Sequence, residues 1–286
     1  MDKKDLQNPA LYTNRELSWL LFNKRVLSEA RDKQLLLFER LKFLSITASN
    51  LDEFFMVRIG SLVDMIHAEY TKKDIAGMSA KEQLDALMEE THKFAALQYS
   101  TYNRMLLPQL RANGLNFVEH HEQLTERQAQ YVDEYFEENV YPVLTPMAVD
   151  SSRPFPLIRN KTLNIGALVA KKGEKDTEIE FATVQVPSVL PRVVRIPAAK
   201  EGDTEVAVLL LEEIIERNIS KLFLNYNVLC AHPFRITRNA DLAIDEDEAE
   251  DLLLEIEKQI KKRTWGQAIR LEIEAAADRR LLKILC

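Results

Sequence analysis

Apolar residues recur at helical spacing through the first 113 positions. Thr13 and Glu16 stand at capping-box spacing, and behind them Leu17, Leu20, Leu21, Val26 and Leu27 follow near the helical period. A second apolar stretch runs from Leu35 to Ile46. A third follows Asp52, with Phe55, Ile59, Leu62, Val63 and Ile66 on one face. Ser79 and Glu82 set another capping box before a long helix that carries Leu84, Leu87, Met88, Phe94, Leu97, Tyr102, Leu106 and Leu110. Gly114 is placed to end it in the left-handed conformation. No alternating pattern interrupts this region, so it predicts a small helical bundle or hairpin domain.

The pattern changes after Gly114. Leu115–Glu119 predicts a short strand, and Thr125 with Gln128 caps a helix reaching about Val140. Four prolines between Tyr141 and Arg159 predict a loop or hinge. Strands are predicted at Leu163–Ala170, Glu180–Val186, Arg192–Ile196, Val228–Thr237 and Ala268–Ile273, with helices at Leu209–Ile219 and Asp245–Lys262. The class is therefore multidomain: an all-α N-terminal helical bundle over 1–113, then an α+β domain over 114–286. From Asp278 the chain enters an apolar helix that reaches Cys286 with no cap and no polar tail. That ending predicts a domain cut short, with a longer protein beyond it.

Composition narrows the functions. The apolar fraction of 46% and charged fraction of 29% are those of a globular protein. Seven glycines are too few for a fold of many tight turns, and they argue against a glycine-rich phosphate cradle. The net charge of −7 argues against nucleic acid as a partner, and mildly against polyanion gripping by this segment. Cys230 and Cys286 form neither a disulfide framework nor a zinc pattern, which predicts a reduced, cytoplasmic setting with Cys230 as an inert core thiol. No apolar run approaches the roughly 18 residues of a membrane span.

Candidate chemistry is sparse. Asn50 reads as the N-cap of a helix entered at Leu51, with Glu53 at its third position. Asp52 and Glu53 then read as first-turn acids that complement the helix dipole rather than as metal ligands, and Glu246–Glu250 reads the same way. Arg58 suits either a phosphate or an exposed face, and Trp19 and Phe22 suit the bundle core. None of His67, His92, His120, His121 and His232 has the sequence context of a nucleophile, and structural or solvent roles fit them better. Periodicity and composition leave open a non-enzymatic interaction module.

Two segments supply what spacing cannot. Arg15-Glu16-Leu17-Ser18-Trp19-Leu20 with Phe22-Asn23 and Arg25-Val26-Leu27 is the first. Glu39-Arg40-Leu41-Lys42-Phe43-Leu44 followed by Ser49-Asn50-Leu51-Asp52-Glu53-Phe54-Phe55-Met56-Val57-Arg58 is the second. Together they resemble the N-terminal domain of bacterial polyphosphate kinases. Tyr141–Pro146 and Phe234–Asp241 resemble, more loosely, the head domain of that family. The resemblance implies an ATP:polyphosphate phosphotransferase working through a phosphohistidine, with ATP and inorganic polyphosphate as substrates. It implies that Asn50 contacts ATP, that the head domain makes contacts in a homodimer or homotetramer, and that peripheral membrane association is compatible with the fold. The catalytic histidine and the residues linked to Mg2+ would lie outside these 286 residues, leaving this segment inactive alone.

Overall fold

The computed structural model describes residues 7–149, 155–173, 179–241 and 266–286. The helix expected at Asp245–Lys262, with its Glu246–Glu250 turn, lies outside the described residues. The chain divides into two units. One holds residues up to Leu110 together with Thr237–Ile269, and the other holds Arg111–Ile236 with Arg270–Cys286.

The first unit is helical. Helix α1 spans Arg15–Arg31, and its cap is Asn14, not Thr13. Asn14 Oδ1 accepts the backbone N–H groups of Glu16 at 3.0 Å and Leu17 at 2.9 Å. Asparagine caps at least as well as threonine. Its Nδ2 is also held by Asp74 at 2.7 Å and Gln83 at 2.9 Å, so the tertiary fold selects it. Glu16, freed from a capping box, instead accepts from Arg15 Nε at 2.9 Å.

Helix α2 spans Leu37–Phe54, and the helical path then runs through a wider π-type turn at Phe55–Ile59 into α3, Gly60–His67. No helix starts at Leu51. Asn50 is therefore not an N-cap, and Asp52 and Glu53 are not first-turn acids; all three sit deep in a helix. Leu51, Phe54, Phe55 and Ile59 keep the apolar stripe unbroken across this stretch, so their burial outweighs any local tendency of Asn50 to cap.

The wide turn has a structural reason. Met56 C=O accepts the N–H of Ala240 at 2.9 Å, and Asn239 Nδ2 donates to Asp64 at 2.8 Å. Ser61 Oγ donates to Asp241. An inserted residue in a helix frees backbone groups for such outside partners. Gly60 sits under this contact, where a Cβ would come within 2.3 Å of Asn239 Oδ1.

Helix α4, Ala80–Thr101, opens on the expected Ser79–Glu82 capping box. It continues through a second π-type turn at Tyr102–Leu106 into α5, Leu107–Ala112, and Gly114 follows with φ of +79°. Leu20, Leu27, Leu51, Phe54, Phe55, Ile59, Leu62, Leu87 and Phe94 form the core. Each fully buried side chain of this kind contributes about 1.5–3 kcal/mol. Trp19 stacks on Phe54 with ring centroids 4.4 Å apart, as a core aromatic should. Phe22 does not join them: it is exposed at 47%, one face covered by the Arg25 guanidinium. Phe22 falls on the side of α1 opposite to Leu20, Asn23 and Leu27, which explains the departure.

The second unit mixes helices with two sheets. Strand β1 (Leu115–Phe117) runs parallel to β6 (Val206–Leu210), which pairs antiparallel with β5 (Val193–Ile196). Strands β2 (Pro146–Val149), β4 (Glu180–Gln185), β3 (Leu163–Lys171), β7 (Tyr226–Arg238) and β8 (Ala268–Ile273) lie side by side in that order. Two strands were not foreseen. β2 falls where prolines predicted a loop, because Pro146 begins the strand, a place that proline tolerates. β6 is an unbroken apolar run, Val206–Leu210, whose periodicity does not separate strand from helix.

Helix α6, Glu126–Tyr135, carries the predicted Thr125–Gln128 capping box. Helix α7, Leu211–Arg217, follows β6 directly, then α8, Ile219–Leu222. Strand β3 is buried on both faces. Ile165, Ala167 and Val169 join Ile214 and Ile215 of α7, while Leu168 turns to Phe181, Phe234 and Leu281. Leu281 belongs to α9, Arg279–Leu285, which Asp278 caps. Cys230, paired across from Leu168, is half-buried, and that burial pushes its thiol up, which keeps it unreactive.

Candidate functional site

Asn50 is tied into a row of polar groups that crosses three helices. Its Nδ2 donates to Asn23 Oδ1 on α1 at 3.0 Å. Asn23 is fully buried, and its own Nδ2 donates to the Thr47 carbonyl on α2 at 3.1 Å. Thr47 Oγ1 then accepts Gln98 Nε2 from α4 at 3.0 Å. Buried amides need such partners, and together they fix the side chain of Asn50. The bond to Asn23 uses one N–H of Asn50. A primary amide has a second N–H and a carbonyl oxygen, enough to read the edge of a base or a sugar.

The role of Asn23 was not assigned from sequence, although it stands inside the Phe22-Asn23 segment. Its signal is positional. It lies three residues after Leu20 and four before Leu27, a polar residue on an apolar stripe. Asp52 is buried and Glu53 exposed, so the two acids do not act as a pair. Arg58, half-exposed, lies 4.0 Å from Glu16 and lines a cleft of about 290 Å³ with Asn14, Arg15, Ser61 and Asp74. The structure does not bring Arg58 into the hydrogen-bonded row of Asn50.

The histidines separate into two groups, with His120 apart from both, exposed and 3.8 Å from Glu213. His67 and His92 are exposed on α3 and α4, and His92 Nδ1 lies 2.7 Å from the carbonyl one turn back, at Met88. His121 and His232 are each paired with a carboxylate: His121 Nδ1 is 3.1 Å from Glu213, and His232 Nδ1 is 2.8 Å from Glu274. The Glu213 bond raises the pKa of His121. Burial, with Glu213 and Glu274 nearby, pushes Glu216 up to about 8. These groups belong to the second unit, and Asn50 belongs to the first.

Residues 12–118 match the family model described as the polyphosphate kinase N-terminal domain, and residues 127–286 match that of the polyphosphate kinase middle domain. The chain belongs to the polyphosphate kinase family. It is 48% identical over 283 residues to a polyphosphate kinase of Halalkalibacterium halodurans, covering 98% of this chain and 39% of that protein. It is 45% identical over 285 residues to one of Bacillus anthracis, covering 98% and 40%. The crystal structure of polyphosphate kinase from Porphyromonas gingivalis superposes with a TM-score of 0.76 at 27% identity, over 96% of this chain and 37% of that one. The chain thus spans about two-fifths of the length of the curated relatives it matches. The helical unit followed by helix and sheet is the arrangement expected from sequence. Among the described residues no helix is long and apolar enough to cross a membrane.

Proposed function

We propose that this chain is the front portion of an ATP:polyphosphate phosphotransferase and that Asn50 contacts the nucleotide. The observation that carries this reading is the Asn50–Asn23 hydrogen bond. It joins the two family segments quoted from sequence and holds a half-exposed amide in one orientation. With the capping role gone, Asn50 has no local backbone duty, which strengthens the case for a ligand.

In the proposed reaction the bond between the terminal phosphorus of ATP and its bridging oxygen breaks. The phosphoryl group passes to a histidine nitrogen outside this chain and then to the terminal oxygen of a polyphosphate chain, and ADP leaves. Such transfers depend chiefly on positioning and charge stabilisation. Residues 1–113 would close over base and sugar, and 114–286 would supply contacts in a cytoplasmic homodimer or homotetramer. Mg2+ would neutralise phosphate charge during transfer. The side chains joined at Asn50 are amides and a hydroxyl, without a carboxylate, so this donor set does not fit Mg2+.

The test is Asn50→Ala in a polyphosphate kinase that contains this chain. Loss of one or two hydrogen bonds to the nucleotide raises the KM for ATP about tenfold, with kcat much less affected. Unchanged KM and kcat would remove Asn50 from the nucleotide site.

A further inference from the structure

In the second unit, four separate parts of the chain bring metal-ligating side chains to one place. His121 comes from the turn at His121–Gln123, Glu213 and Glu216 from α7, His232 from β7, and Glu274 from the residue after β8. The ligand atoms of His121, Glu213 and Glu216 all lie within 4.8 Å of one another, and so do those of Glu216, His232 and Glu274. Glu216 is common to both sets. Bonds of about 2.0–2.2 Å to a shared ion place ligand atoms roughly 3–4 Å apart. Closing either set on an ion therefore needs only a small contraction.

Without a cation this crowding makes Glu216 keep a proton, which a bound metal ion would displace. Glu213 and Glu216 stand three residues apart on one helical face, where like charges repel. Glu216 lies in the last turn of α7, the end at which the helix dipole disfavours negative charge. Glu213 is buried and Glu216 half-buried, so water screens this repulsion poorly. His121 Nδ1 lies 3.1 Å from Glu213 and His232 Nδ1 lies 2.8 Å from Glu274, separations that two ligands of one ion also have.

We propose that Glu216, with His121 and Glu213 on one side and His232 and Glu274 on the other, binds a divalent transition-metal ion of the Zn2+ class. Mixed imidazole and carboxylate donors suit such ions, whereas Mg2+ prefers oxygen and water around it. The site lies in the unit that does not contain Asn50, and its role is to hold the turn, α7, β7 and the end of β8 together.

The test titrates the metal-stripped chain, in a Cys286→Ser background, with ZnCl2 and separately with MgCl2, following heat and thermal unfolding. Zn2+ is expected to bind in the micromolar range and to raise the midpoint of unfolding, while Mg2+ at the same concentrations does neither. Glu216→Gln, which is isosteric and relieves the repulsion, should fold and bind Zn2+ at least about tenfold more weakly. His232→Ala should weaken binding similarly, and His92→Ala, at an exposed position of α4, should not. Zn2+ binding that Glu216→Gln and His232→Ala leave unchanged overturns the proposal. So does an equal response to Mg2+, or no heat of Zn2+ binding up to millimolar concentration.

Discussion

Replacing Asn23 with alanine should cost far more stability than replacing Asn50, although each loses part of the same bond. Asn23 is fully buried and makes two hydrogen bonds, to Asn50 at 3.0 Å and to the Thr47 carbonyl at 3.1 Å. Each is worth about 0.5–1.5 kcal/mol net, and the space left by the side chain cannot collapse fully, so Asn23→Ala should cost about 2–4 kcal/mol. Asn50 is half-exposed, and water can replace its partner. Asn50→Ala should therefore cost about 1 kcal/mol or less. The double variant should be more stable than the sum of the two losses predicts, by roughly 0.5–1.5 kcal/mol, because the shared bond can be lost only once. Urea unfolding of the four proteins, with equal slopes, measures this coupling. Additivity within about 0.3 kcal/mol, or Asn23→Ala costing under about 0.5 kcal/mol, would refute the bond and the positioning of Asn50 that rests on it.

Three further outcomes follow from other parts of the fold. Gly60→Ala should destabilise the first unit by about 1–3 kcal/mol, read by chemical unfolding. The new Cβ displaces Asn239, which Asp64 and the Asp241 N–H hold in place. Gly266→Ala should be more damaging still, because its Cβ would meet the backbone oxygen of Asn239 at 1.8 Å, and poor soluble yield would report it. Glu216, raised from 4.5 to about 8, makes stability pH-dependent. Between those values the folded state keeps a proton that the unfolded chain releases, so this contribution is complete below 4.5 and is lost as pH rises through about 8. The ceiling is about 5 kcal/mol, reduced by solvent screening at this half-buried position to about 1–2 kcal/mol. In a chelating buffer, the loss of stability between pH 5.5 and 8.5 should shrink by that amount in Glu216→Gln.

The helices were legible where caps and periodicity agreed. Ser79 with Glu82, Thr125 with Gln128 and Gly114 all stand where spacing placed them. At Asn50 local grammar misled. An Asn followed by Asp and Glu is the signature of a helix start, yet Leu51, Phe54 and Phe55 bury on a helical path that begins at Leu37, fourteen residues before Leu51, and packing overrides capping. Thr13 failed for a related reason: only the fold shows that Asp74 and Gln83 reach Asn14. β6 was missed because an apolar pentapeptide buried on both sides has no period to read. The nucleotide candidate came from resemblance, and the polar break that Asn23 makes in the α1 stripe gained its meaning when α1 and α2 were placed side by side. The His–Glu cluster was illegible for the same cause, because its members are up to 153 positions apart in sequence and no spacing rule links them.

The most direct test of the account is the dissociation constant for ATP, measured by calorimetry on a polyphosphate kinase that contains this chain, with and without Asn50→Ala. The account predicts about tenfold weaker binding in a variant whose unfolding midpoint is nearly unchanged. Equal affinity in the two proteins would contradict it.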